Sequence, residues 1–399
     1  MFDMPHFGAE CFTKLSNIAV LNPSLDRKPA PDEVVSFVPM AALSAGTASV
    51  AQEATRTYAE VAKGYTAFQN GDLLVAKITP CFENNKIGRA NISRHLGFGS
   101  TEFHVIRPDA ERLDARYLLH FLRQDHVRAE GERRMTGSAG QRRVPENFFA
   151  NLMVPVPSTA EQRRIAAILD QADALRAKRQ AALSKLETLT QAMYINEFGV
   201  RIEANKDVPV TKLSQICTRI TDGTHQTPKW SEVGVPFLFV ANIVKGYIDF
   251  TTDKRISEQN YAELTKNCKI EIGDVLYSTV GSYGMSAVVH TEQEFAFQRH
   301  VAHLKPDRRF VEPEFLRIML ASPGVRAQAD RAARGVAQKT INLADLKNFV
   351  VFQPSLQRQR KFMTKIELIE ALKKDCKADF ALRNALFTSL QHRAFRGEL

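Results

Sequence analysis

The chain repeats itself once, and no other feature restricts its architecture as strongly. Leu15-Ser16-Asn17-Ile18 is matched by Leu213-Ser214-Gln215-Ile216, an offset of 213 − 15 = 198. Gly71-Asp72-Leu73-Leu74 is matched by Gly273-Asp274-Val275-Leu276 at 273 − 71 = 202, and Ile106-Arg107-Pro108-Asp109 by Leu304-Lys305-Pro306-Asp307 at 306 − 108 = 198. Tyr117-Leu118 and Phe315-Leu316 keep 198; Gln141-Arg142 and Gln338-Lys339, Pro157-Ser158 and Pro354-Ser355, Gln162-Arg163 and Gln359-Arg360, and Phe198 and Phe395 all stand 197 apart. Each match is weak alone, but their collinear order is not a chance product, so the chain is two copies of one unit of roughly 200 residues. The drift to 202 and back implies an insertion in the second copy before Gly273 and a compensating loss after it.

Each copy ends in a segment without Pro or Gly. The first runs from Ser158 to Glu197, with Pro155 and Pro157 before it, Gly199 after it, and a capping-box pattern in Ser158-Thr159-Ala160-Glu161. Positions 165, 168, 172, 175, 179, 182, 186, 189 and 193 follow 3,4 spacing and are apolar except Arg179. A helix of about 38 residues is a rod of about 57 Å. The second, Ser355 to Phe395, carries Phe362, Ile366, Ile369, Cys376, Phe380, Phe387 and Leu390 on one stripe, interrupted by Lys373 and Arg383. A rod with one apolar stripe needs a partner, and the nearest is the other rod; the plainer alternative is two amphipathic helices, each lying on its own domain. Before each rod the pattern is α/β, with strands over Leu73–Ile78, Glu102–Ile106, Pro236–Val240, Val275–Val280 and Val301–Leu304 and helices over Arg116–Arg123 and Glu314–Ala321.

The 399 residues are 44% hydrophobic and 25% charged, ordinary for a globular chain of two to three domains. Lys and Arg exceed Asp and Glu by 54 − 44 = 10 charges, which favours a polyanionic partner. No apolar run approaches a membrane span, and the opening MFDMPHFGAE lacks the basic and apolar regions of a secretory leader. The five cysteines, Cys11, Cys81, Cys217, Cys268 and Cys376, are far apart and odd in number, against both a disulfide framework and a cysteine zinc site. A reduced, cytoplasmic location is the simplest reading.

Catalytic signatures are missing. The chain has no P-loop, no G-x-S-x-G elbow, no Asp/Asn-Pro-Pro-Tyr/Phe of the amino-methyltransferases, no Gly-rich turn for S-adenosylmethionine, and no Glu-x-Lys that a metal-dependent nuclease would use after Pro-Asp. His300 and His303 are the best metal candidates, yet residues three apart on a strand point to opposite faces. Asp222 and His225 with Ser231 suggest a triad, but a turn rich in Gly, Thr and Pro explains them better. The reading is no catalytic residue and no metal ligand.

Nucleic acid fits two loops that recur. After a strand, copy one has Lys77 through Arg89, offering Lys77, Asn84, Asn85, Lys86 and Arg89; its counterpart, Ser278 to Gly284, offers Ser282 and Tyr283. Asn, Lys and Arg suit base edges and phosphates. The second loop, Gly137-Ser138-Ala139-Gly140-Gln141-Arg142-Arg143, offers Gln141, Arg142 and Arg143 to phosphates and is matched by Gly335-Val336-Ala337-Gln338-Lys339-Thr340, with Gln338 and Lys339. Copy two adds Asp222 to Trp230, with Thr224, His225 and Lys229. For any single Lys or Arg, plain solubility is the competing reading.

Lys77-Ile78-Thr79-Pro80 with Glu83-Asn84, Ser100-Thr101-Glu102-Phe103, Pro155 through Gln162, Asp222-Gly223-Thr224-His225, Gly273-Asp274-Val275-Leu276 and the closing Ala394-Phe395-Arg396-Gly397-Glu398-Leu399 resemble a type I restriction-modification specificity subunit from about Leu15 onward. One departure is Phe352-Gln353-Pro354, where copy one has Pro155-Val156-Pro157. The resemblance implies an α/β (α+β) chain with two tandem target recognition domains, 1–157 and 200–354, and two long spacer helices, 158–199 and 355–399, packed as an antiparallel coiled coil. It implies that each domain reads half of a split site on double-stranded DNA and that the helices set the gap. It also implies a subunit without catalysis that recruits two methyltransferase subunits and then restriction subunits, so that S-adenosylmethionine, Mg and ATP belong to those partners. A related multisubunit restriction enzyme outside type I is the runner-up; a stand-alone methyltransferase or nuclease is opposed by the missing motifs, and a scaffold that does not bind DNA would have no use for basic duplicated loops.

Overall fold

The computed structural model describes residues 7–8, 11–138, 140–200, 207–244, 246–266, 269–335 and 338–399. Most of the opening segment read for a leader, Cys268, and the loop residues Ala139, Val336 and Ala337 lie outside these. The chain divides into two compact units, residues 1–182 with 376–399 and residues 183–375.

The first unit is built on a sheet in the order Ala19–Leu21, Phe103–Pro108, Leu73–Ala76, Ile87–Arg89, Ser49–Val50, Leu43–Ser44. Its central strands are antiparallel, with Leu73 opposite Ile106 and Val75 opposite His104. Leu73 to Ala76 is buried on both faces, as an apolar run without alternation requires. One side carries the helix Ala115–Leu122, capped by Asp114, whose carboxylate accepts the N–H groups of Arg116 and Tyr117. A second sheet, Ala54–Thr57, Val34–Val38, Leu96–Gly99, Thr66–Gln69, completes the globular part.

The second unit repeats the plan. Cys217–Asp222, Val301–Pro306, Val275–Ser278 and Ser286–Val288 form the main sheet, with Val275 opposite Leu304 where the first unit has Leu73 opposite Ile106. Three of the four residues expected to be lost after Gly273 are lost in the first recurring loop: residues 77–86 separate the two strands in unit one, and residues 279–285 in unit two. Among the described residues, Cys11, Cys81, Cys217 and Cys376 are free thiols.

The rods run over Thr159–Phe198 and Leu356–Arg396, each within a residue or two of the bounds set by the flanking Pro and Gly. In unit one the start of the central rod packs against the end of the C-terminal rod: Arg164 donates to the carbonyl of Leu399 at 2.8 Å, Arg176 stacks 4.4 Å over Phe387, and Arg179 pairs with Asp379 at 2.6 Å. In unit two Lys373 donates to Thr190 at 3.2 Å and Arg358 pairs with Glu197 at 3.2 Å. Within each unit the partner residue number falls as the rod number rises, so the segments are antiparallel. Of the interruptions in the stripes, Arg179 and Arg383 meet on Asp379, while Lys373 reaches Thr190.

The C-terminal stripe is buried or half-buried where the spacing places it. The central stripe needs a correction at every second position: Leu169, Arg176, Leu183 and Thr190 line the seam in place of 168, 175, 182 and 189, and Leu175 and Leu189 are 51% and 37% exposed. Ile168-Leu169 and Ala182-Leu183 are neighbouring apolar pairs, so spacing cannot choose between two phases. The stack of Arg176 on Phe387 and the Thr190–Lys373 bond decide it.

Both rods start on the same lock. Buried Gln162 accepts the N–H of Asp114 at 2.8 Å and donates to the carbonyls of Arg112 and Pro157 at 2.9 and 2.8 Å. Buried Gln359 accepts the N–H of Glu312 at 2.9 Å and donates to those of Phe310 and Pro354 at 2.8 Å each.

Candidate nucleic-acid interface

In both units the two recurring loops converge at one end of the main sheet through the same backbone bonds. In unit one Lys77 N–H donates to Glu102, Val144 N–H to Lys77 and Thr79 N–H to Arg142, at 2.9, 2.9 and 3.0 Å. In unit two Thr279 N–H donates to His300, Ile341 N–H to Thr279 and Gly281 N–H to Lys339, at 2.9, 2.9 and 3.0 Å. The positions that turn inward are alike in the two copies. Of the outward side chains, Gln141 and Arg142 are matched by Gln338 and Lys339, while the first loop differs, and so do Glu102 against His300 and Arg143 against Thr340.

Unit one presents Asn84, Gln141 and Arg142 exposed, with Lys77 and Lys86 half-buried behind them. Arg142 comes within 3.9 Å of Glu83. Arg143 pairs with Glu102 at 2.7 Å, and these hydrogen bonds hold the Glu102 carboxyl below the usual carboxylate range. Two candidates are held in the fold: Asn85 sits at φ +54 in the turn and donates to the Arg123 carbonyl at 3.0 Å, and Arg89 lies half-buried at the end of the strand Ile87–Arg89.

Unit two presents Ser282, Gln338 and Lys339 exposed. Tyr283 is buried, its hydroxyl donating to Asp330 at 2.9 Å and its ring under Arg326 at 4.5 Å. The loop from Asp222 joins this edge because Thr224 N–H donates to the Phe297 carbonyl at 3.0 Å. With the turn at Gln298, Arg299 and His300 it encloses an aromatic cleft of about 200 Å³, lined also by His225, Trp230 and Phe239, with Lys229 exposed beside it. Trp230 is 51% exposed and packs edge-on against Phe237 at 5.3 Å. Sequence reasoning placed Trp230 in a candidate loop without choosing it and missed Gln298 and Arg299, for which the match of 298–300 with Ser100-Thr101-Glu102 was the available signal. A larger cleft of about 610 Å³ lies away from this edge, against the start of the C-terminal rod.

The catalytic decoys have other occupations. His225 Nε2 lies 2.8 Å from Asp222, while Ser231 pairs with Arg255 in a strand ladder. His303 is buried with Nε2 2.7 Å from Asp274, while His300 sits in the turn before the strand. Among the described residues no group of three His, Cys, Asp or Glu side chains is placed to hold a metal, and no helix is long and apolar enough to cross a membrane.

The family model of the type I restriction modification DNA specificity domain matches this chain twice, over residues 23–187 and 205–377. The type I restriction enzyme EcoEI specificity subunit of Escherichia coli is 42% identical over 165 residues, 41% of this chain and 27% of that protein. The EcoAI specificity subunit of the same organism is 37% identical over 211 residues, 50% of this chain and 35% of that one. The chain thus spans about a third or less of the length of these relatives. A solved chain described under complex assembly and conformational transition of the type I R-M system shares the fold, with TM-score 0.63 at 21% identity over 97% of this chain and 98% of that one.

Proposed function

Since the chain belongs to the family of type I restriction-modification DNA specificity domains, we propose that it is the sequence-reading subunit of such a complex, each unit reading one half of a split site on double-stranded DNA. One observation carries this reading. The same two loops converge on the same sheet end in both units, on a shared backbone scaffold, with a matched Gln-cation pair in the second loop but different side chains in the first loop and at 102/300 and 143/340. That is what two readers of two different half-sites require. We take 1–157 and 200–354 as the recognition domains and 158–199 and 355–399 as the spacer helices. Of the fifteen candidate residues, those other than Asn85, Arg89 and Tyr283 are the pool from which phosphate and base contacts are drawn, and the subunit works in the cytoplasm beside host DNA.

Adenine methylation and cleavage belong to partners, and with them S-adenosylmethionine, Mg and ATP. The rods support two equivalent methyltransferase subunits per chain. Leu175 and Leu386 are 51% and 58% exposed; each immediately precedes a member of the Arg176–Phe387 contact. Leu189 and Leu372, 37% and 54% exposed, likewise precede Thr190 and Lys373, which meet in unit two. In an antiparallel pair, positions just before seam residues flank the seam on one side. The two pairs are related by the repeat, 372 − 175 = 386 − 189 = 197. The test is reconstitution with the methyltransferase subunit, mass measurement, and sequencing of methylated adenines. Two copies per chain and a bipartite motif are expected. One copy at saturation, or methylation without a motif, would overturn the reading.

A further inference from the structure

The loop cations of unit one are not equivalent. Arg142 is exposed, with Glu83 as an acidic neighbour at 3.9 Å. Arg143 is fixed at both backbone and side chain. Its N–H donates to Thr136 at 2.8 Å, and its carbonyl accepts the N–H of Thr136 at 3.0 Å. Its Nε lies 2.9 Å from one Glu102 oxygen and its Nη2 2.7 Å from the other, while Nη1 donates to the Gln141 carbonyl at 3.1 Å. Glu102 is itself anchored, because its carbonyl accepts the N–H of Lys77. Three chain segments therefore meet to hold one guanidinium in one orientation, at the loop edge assigned to DNA.

A guanidinium has five N–H donors. Glu102 and Gln141 engage three, leaving one on Nη1 and one on Nη2. The Arg143 side chain remains 42% exposed. Two donors on neighbouring nitrogens of a rigid fork match the O6 and N7 acceptors that guanine alone presents in the major groove. A guanidinium fork fits a phosphate as well, but a phosphate contact does not require one fixed orientation, and folding gains little from an exposed pair. The carboxylate is thus best explained as a positioning group.

Building on the reading of unit one as a DNA half-site reader, we propose that Arg143 reads one guanine in that half-site and that Glu102 positions it to do so. Unit two has Thr340 and His300 at the corresponding places, offsets 340 − 143 = 197 and 300 − 102 = 198, so it does not read a guanine in this way.

The experiment uses the reconstituted methylase with a randomised DNA library, sequenced for methylated adenines, comparing wild type, Arg143→Lys, Arg143→Ala and Glu102→Gln. The wild type is expected to show an invariant guanine in one half-site. Arg143→Lys keeps the charge and loses the fork. It should relax that one position by roughly 5- to 150-fold, with the salt dependence of binding and every other position unchanged. Glu102→Gln should relax the same position to a smaller degree, a readout that a merely structural pair would not move. Arg143→Ala should match Arg143→Lys in preference. An unchanged motif with Arg143→Lys, or a relaxed position that is not guanine, would overturn the proposal. If Arg143→Ala fails to fold, Arg143→Lys still decides the matter. A wild type that methylates no bipartite motif would instead count against the half-site reading itself.

Discussion

Replacing Gln359 with Leu keeps most of the side-chain volume and removes three hydrogen bonds. It leaves the Pro354 carbonyl buried without its partner and the Glu312 N–H and Phe310 carbonyl part-buried without theirs. An orphaned buried group costs about 1–3 kcal/mol and a part-buried one less, so the total is roughly 2–4 kcal/mol. This corresponds to an opening constant about 30- to 700-fold larger for the segments that the glutamine joins. A chain of two units does not unfold as one cooperative transition, so amide hydrogen exchange is the right assay. Gln359→Leu should accelerate exchange in residues 310–321 and 354–366. Gln162→Leu, which removes the same three bonds in unit one, should act by a similar factor on residues 112–122 and 157–169. A change below about fivefold in both variants would refute the reasoning, as would a uniform rise across the chain.

Two further outcomes follow from the loops and the rods. Arg142→Ala should weaken binding to all DNA sequences alike and lower the salt slope by about one counterion, measured as binding against salt concentration; an altered motif would make Arg142 a base reader. Inserting four residues after Leu183 adds one helical turn, about 6 Å. The unspecific gap should then lengthen by one or two base pairs in the methylated motif while both halves keep their bases, and an active complex with the original gap would show that the rods do not set it.

What could be read in the sequence was whatever depends on local punctuation and on repetition. Pro157 and Gly199 bound the central rod whatever it packs against, and Leu73 to Ala76 reads as a buried strand because its apolar run does not alternate. The phase of the central stripe was not legible, because Ile168 and Leu169 are both apolar and the choice rests on Arg176 finding Phe387 far along the chain. The site divides in the same way. The repeat marks the two loops, but Asn85 and Tyr283 look like DNA contacts in a list of residue types and become a turn former and a buried anchor once Arg123 and Asp330 are in place. Glu102 was invisible as a partner of Arg143 because the two segments are brought together by tertiary bonds among residues 77, 79, 102, 142 and 144.

The cores of the two units are closed from a distance. Phe198, at the end of the central rod, packs on Tyr194, Phe315 and Phe362 in the second unit. Phe395, its repeat, packs on Tyr117 and Phe121 in the first. Each rod thus begins on its own globular part and ends in the core of the other unit. A chain of residues 1–199 has a first-unit core with no Phe395 and a Phe198 with no core to enter. A second copy answers both needs by a self-complementary exchange, so this fragment should form a homodimer about a twofold axis. Its seam lacks Asp379 and Phe387, which the repeat replaces with Ala182 and Thr190, so Arg179 loses its ion pair and Arg176 its ring. The dimer should therefore dissociate at low concentration in analytical ultracentrifugation. Ala182→Asp should restore an acceptor for Arg179 of the other copy and tighten the dimer, while Phe198→Ala should abolish it. A folded monomeric fragment at high concentration would show that the rod ends are not needed to close the cores.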